Sequence, residues 1–162
     1  MKKILAALLA AVMLMGCMLT FASCGAKPRL DLEKAEEALE DEDYNVNYDD
    51  DVDSMGVKER LYASNDEDYI EIYVFESSKT AKLAYESLKL ERDYEIEEME
   101  LKIKTYKHML SKYEDDIDED DFEEMIEELE DELKEYKKEY CIGRSGKTVW
   151  EGTANAIKDS KK

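Results

Sequence analysis

The chain has 162 residues, 43 of them acidic and 23 basic, for a net charge of −20. That length accommodates one folded domain and little of a second core. A surface so negative gains nothing from counterion release on nucleic acid and is repelled by anionic lipid headgroups, so charge recruits neither. Three cysteines, two of them near the amino terminus, do not make a disulfide framework.

The opening "MKKILAALLAAVMLMGCMLTFASCGAK" has a basic start at Lys2 and Lys3, an apolar run from Ile4 to Met15, and small residues after it. That is the pattern of an export signal. An ordinary signal ends in a small-x-small site with no fixed cysteine, whereas here Gly16 precedes Cys17 and Ala22-Ser23 precede Cys24. The stretch resembles the lipobox of bacterial lipoproteins, whose cysteine thiol receives a diacylglyceryl group and becomes the mature amino terminus. Cys24 is the better acceptor: small residues come before it and Gly25 follows. Cys17, the alternative, has the favoured Leu14 upstream but a bulky Met15, and would leave the apolar "MLTF" on the mature end.

The resemblance implies a signal peptide over 1–23, a lipidated cysteine and linker over 24–30, and a single domain over 31–162 on the extracytoplasmic face of the cell membrane. Losing Lys2 and Lys3 with the leader takes the charge from −20 to −22. The two acyl chains of the anchor would hold stably, where one would not. An uncleaved anchor competes with this reading, because Ile4 to Phe21 approaches the minimum length of a membrane span.

Behind the linker, Asp31 is placed to cap a helix with Leu30 and Ala35 as a hydrophobic staple and Ala35, Ala38 and Leu39 as its apolar face. "YNVNY" (Tyr44 to Tyr48) predicts a short strand, and the acidic turn "DDDVDSMG" follows. "VKERLYAS" and "YIEIYVFE" predict two strands joined by "NDED", a hairpin-loop composition. In the second, Ile70, Ile72 and Val74 share one face and Tyr69, Tyr73 and Phe75 the other, the pattern of a central strand covered on both sides.

Ser77 or Ser78 then caps a long helix with Ala81, Ala84, Tyr85 and Leu88 on one face. From Ile96 the apolar positions Met99, Ile103, Tyr106, Leu110 and Tyr113 alternate three and four apart. After "EDDIDEDD" the spacing resumes at Phe122, Ile126, Leu129, Leu133, Tyr136 and Tyr140, the narrow seam of a coiled coil. Each arm is acidic early and basic late, so folding the two antiparallel sets acid against base at both ends and suits each helix dipole. The spacing therefore predicts a helical hairpin over 91–140, with an arm of roughly 27 Å from Ile96 to Tyr113. "CIGRSGKTVWEG" predicts two short strands about a glycine turn, and Thr153 starts a closing helix with Ala156 and Ile157 inward. The expected fold is α+β: an antiparallel-type sheet of about five short strands, helices on one side, and an inserted long antiparallel helical hairpin.

From Tyr69 to Leu88 and from Gly143 to Asp159, notably "SGKTVWEGTANAIKD", the wording resembles small lipoproteins of Gram-positive anaerobes. That resemblance implies a lipobox joined to a compact α+β domain and carries no catalytic motif across.

Candidate chemistry is sparse. "CIGRSGKT" approximates a phosphate-binding loop, but Cys141 stands where the first glycine belongs and strand, not helix, follows. "DIDEDDFEEMIE" offers Asp116, Asp118, Asp120 and Glu127 at the first, third, fifth and twelfth places of an EF-hand. Asp121 replaces the glycine at the sixth, so a capped helix start at Asp118 is preferred. "DDDVDSMG" offers Asp49, Asp51 and Asp53 but lacks both the glycine and the final acid. His108 is the only histidine, which leaves a histidine zinc site or a histidine triad nothing to build on. Cys141 reads as a buried strand thiol. No metal, cofactor, small-molecule substrate or nucleic acid is called for. The reading is a lipoprotein whose body binds or scaffolds a protein partner at the cell surface through the hairpin. Its alternatives are a carboxylate-based enzyme acting on cell-envelope material, marked by two inward-facing acids in a deep tyrosine-lined pocket, and an acidic divalent-cation-binding surface protein.

Overall fold

A computed structural model describes residues 27–52, 56–112 and 119–162; the burial of Glu119 and Asp120 is not among the described features. The chain forms α1 (Leu32–Glu40), β1 (Asn45–Asp49), β2 (Val57–Ser64), β3 (Tyr69–Phe75), α2 (Ser78–Lys112), α3 (Glu119–Glu139), β4 (Tyr140–Ser145), β5 (Thr148–Thr153) and α4 (Ala154–Asp159). The strands make one antiparallel sheet in the order β1-β2-β3-β5-β4. This is the α+β class expected, with β3 at the centre and the helical hairpin inserted between β3 and β4.

Local chemistry explains the element ends. Asp31 caps α1 by accepting from the Lys34 amide, and Thr153 caps α4 by accepting from the Ala156 amide. Of the two serines before α2, Ser77 is the cap: its Oγ accepts from the Thr80 amide at 3.1 Å. Each such bond satisfies an amide that the helix itself leaves open. Between β4 and β5, Ser145 pairs with Thr148, and Gly146 takes φ +61° at the first of the two loop residues. That position of a tight hairpin favours glycine.

Alternation along the strands separates two cores. Leu61, Ala63, Ile70, Ile72, Cys141 and Trp150 point to one face, where they bury Leu32, Ala35 and Leu39 of α1 and Ala156 and Ile157 of α4. Tyr73, Phe75 and Val149 point to the other, against Ala81, Ala84, Tyr85 and Leu88 of α2. The helices are thus divided between the two faces instead of gathered on one. The cause is already visible in β3, whose alternate residues are apolar on both sides: one layer of helices covers only one set. On the first face the Trp150 indole lies on Gly143, where a Cβ would come within 2.3 Å of the ring. Tyr140, which the sequence places at the end of the hairpin seam, is instead the first residue of β4.

Beyond the residues packed on the sheet, α2 runs from Leu88 to Lys112, about 36 Å at 1.5 Å per residue. Its partner there is α3. Ile96, Ile103 and Ile126 are buried, and Tyr106 meets Phe122 edge-on at 6.1 Å. Lys107 pairs with Glu130 at 2.5 Å and Lys137 with Glu100 at 2.6 Å. In each bridge a late base of one arm meets an early acid of the other, as the antiparallel charge argument requires. With half-exposed partners each contributes about 0.5 kcal/mol, so the bridges set direction more than stability.

Candidate functional site

The hairpin and its root are the candidate site. At the root, α2 and α3 stand on the sheet face that carries Tyr69, Glu71, Tyr73, Tyr140 and Glu151. Strand order places Glu71 of β3 directly beside Glu151 of β5. The Arg60 guanidinium pairs with the Glu71 carboxylate, whose side chain is 13 % exposed, and lies over the Tyr73 ring. The Tyr140 hydroxyl donates to Glu151, and its ring stacks on Tyr136 with centroids 5.1 Å apart. Tyr136 in turn donates to Glu95 of α2, and Tyr69 tilts against Tyr140 at 6.4 Å. Arg92, buried under this arch, donates to the Lys137 carbonyl of α3 at 3.5 Å. A ladder of phenols and carboxylates therefore joins both arms to the sheet.

Electrostatics follow from that crowding. Burial raises the Glu151 carboxyl above its ordinary range, and Glu71, Glu91 and Glu95 add to the effect, while the Tyr140 hydroxyl opposes it. Burial also pushes the Tyr69 phenol up to about 12, with the charge of Glu151 next in weight. The Tyr136 and Tyr140 phenols are raised for the same first reason, assisted by the glutamates they serve. All three phenols stay protonated at physiological pH.

Two adjacent carboxylates, one held toward its neutral form, are the raw material of acid–base chemistry. Here both acids are committed to structural partners. The clefts lined by Tyr69, Tyr136 and Tyr140, by Val57, Tyr73 and Leu88, and by Ile103 and Leu133 do not include either glutamate. The arrangement fastens a lever to a sheet.

Cys17 and Cys24 lie outside the described residues, as do Asp53, Asp116 and Asp118; of Asp120 only the helical backbone is described, and Glu127 is exposed on α3. Among the described residues no group of three or more histidine, cysteine or acidic side chains is arranged to hold a metal ion. His108 is exposed on α2. Cys141 is buried in β4, its sulfur 3.5 Å from the Glu139 carbonyl. The phosphate-loop look-alike is the β4–β5 hairpin. Arg29 bonds the Lys161 carbonyl at 2.8 Å, so the chain enters the domain beside the end of α4, on the sheet face opposite the hairpin root.

Sequence reasoning did not find the Glu71–Glu151 pair. The residues are 80 apart, and only the adjacency of β3 and β5 brings them together. No helix among the described residues is long and apolar enough to cross a membrane. No protein-family model, curated protein or solved structure matches the chain.

Proposed function

We propose that this protein is a lipoprotein held at the extracytoplasmic face of the cell membrane by a diacylglyceryl group on Cys24, and that its body binds or scaffolds a protein partner there through the helical hairpin. The tether rests on the basic start, apolar run, small residues and cysteine of the opening stretch. The binding role rests on one observation: α2 and α3 continue well past the last residues that pack on the sheet. A chain that needed α2 only to cover Phe75 and Val149 could end it at Leu88. The remainder, with its matched charges and a polar joint fixing it to the sheet, is surface held away from the core. Its root lies on the sheet face opposite the one where Arg29 bonds the Lys161 carbonyl.

Replacing residues 92–139 by a short Gly/Ser linker removes the lever and keeps both sheet cores. In intact cells the shortened protein is expected to remain in the membrane fraction while losing the crosslinked partner that the full chain captures. Retention of that partner would contradict the hairpin as the contact surface.

A further inference from the structure

The outward side of α2 carries an apolar stripe that no part of the described fold covers. Leu83, Leu90, Tyr94 and Leu101 are 64–71 % exposed. They are seven, four and seven residues apart, which at 3.6 residues per turn puts them in one line along the helix. The line faces away from Tyr85, Arg92 and Met99, which point inward. Written as heptads, Leu83, Ser87, Leu90, Tyr94, Glu97 and Leu101 occupy alternating d and a positions. The flanking e and g positions are then Ala84, Glu86, Glu91, Asp93, Glu98 and Glu100. Five of these six are acids and none is a base. Glu98 is shared with Lys102 and Glu100 with Lys137, while Glu86, Glu91 and Asp93 make no ion pair among the described residues.

Flanking charges of a coiled-coil seam choose the partner. A second copy laid antiparallel would match Leu83 with Leu101 and Leu90 with Tyr94, and would also set Glu86 against Glu100, Asp93 against Asp93 and Glu91 against Glu91. A parallel copy would set Glu86 against Glu91 and Asp93 against Glu98. Both orientations repel. A chain of net charge −20 also resists pairing with itself or lying on an anionic membrane. The sequence that fits has apolar a and d residues with lysine or arginine beside them.

We propose that the Leu83–Leu101 stripe of α2 docks a cationic amphipathic α-helix of a partner protein, as the acidic half of a short two-stranded coiled coil. This rests on the binding-module reading and specifies its partner. Ser87 and Glu97 interrupt the seam, so the pairing is reversible and needs the flanking charges, and salt weakens it.

The test uses the full chain in zwitterionic nanodiscs and two synthetic helices of about three heptads, both with leucine at a and d, one with lysine and one with glutamate at e and g. Fluorescence anisotropy reads binding, with empty nanodiscs as the blank. The lysine peptide is expected to bind and the glutamate peptide not to. Leu90→Asp is expected to weaken the lysine peptide at least tenfold while leaving the far-ultraviolet circular dichroism unchanged. No binding of the lysine peptide, or binding that survives Leu90→Asp, overturns the proposal. So does a concentration-dependent dimer of the full chain that Leu90→Asp dissociates, because the occupant is then a second copy. If the peptide result fails while the hairpin deletion still abolishes cellular crosslinking, this face is wrong and the hairpin reading stands.

Discussion

Gly152→Ala is expected to destabilise the domain by about 4 kcal/mol, combining backbone strain with overpacking against an immovable neighbour. Gly152 sits in β5 at φ +146°, a conformation side-chain-bearing residues rarely adopt. A Cβ there would come within 2.4 Å of the Tyr69 carbonyl oxygen and 2.7 Å of the Ile70 Cα, both backbone atoms of the paired central strand. Neither can rotate away as a side chain tip would. A small domain has a total stability of about 5–15 kcal/mol, so the loss would lower its thermal midpoint by roughly 15 °C or more. Urea unfolding followed by circular dichroism measures it. A change under about 1 kcal/mol would mean that β5 takes an ordinary extended course, and the Ile70–Gly152 register would be wrong.

Ile72→Ala is expected to cost about 4 kcal/mol and to be felt throughout the sheet. Ile72 is fully buried at the middle of β3, paired with Leu61 of β2 and Trp150 of β5 and packed in the larger core. Ile126→Ala, by contrast, empties a site in the hairpin, which opens more readily than the sheet because it rests on a narrow seam. Native-state hydrogen exchange separates the two. Ile72→Ala should accelerate exchange at β2, β3 and β5 together, whereas Ile126→Ala should accelerate α3 and the distal part of α2 and leave the strands protected. Equal loss of protection everywhere in both variants would show that hairpin and sheet unfold as one unit, against their separation into lever and base.

Much of this architecture was legible because its signals are local. Strands β2 and β3 announce themselves through β-branched and aromatic alternation, and the caps Asp31, Ser77 and Thr153 through the chemistry of helix starts. The antiparallel hairpin follows from charge order alone, since Lys107–Glu130 and Lys137–Glu100 can form in no other orientation. What was not legible depends on contacts distant in sequence. The apolar period of the seam runs on into Tyr140, so nothing local marks the helix end where β4 begins. Alternation in β3 reveals that both faces are covered, yet cannot say that α1 and α4 take one and α2 the other. The Glu71–Glu151 pair and its phenols depend on β3 lying beside β5. The outer stripe of α2 was hidden by the stronger inner seam, because both repeat at helical spacing and only burial distinguishes them.

Mass spectrometry of the native protein tests the tether on which the proposed function depends. Protein recovered from the membrane fraction is predicted to yield an amino-terminal peptide that begins at Cys24 and carries a diacylglyceryl thioether on its sulfur. An intact Met1 peptide with unmodified Cys17 and Cys24, from protein recovered in the cytosol, would contradict it.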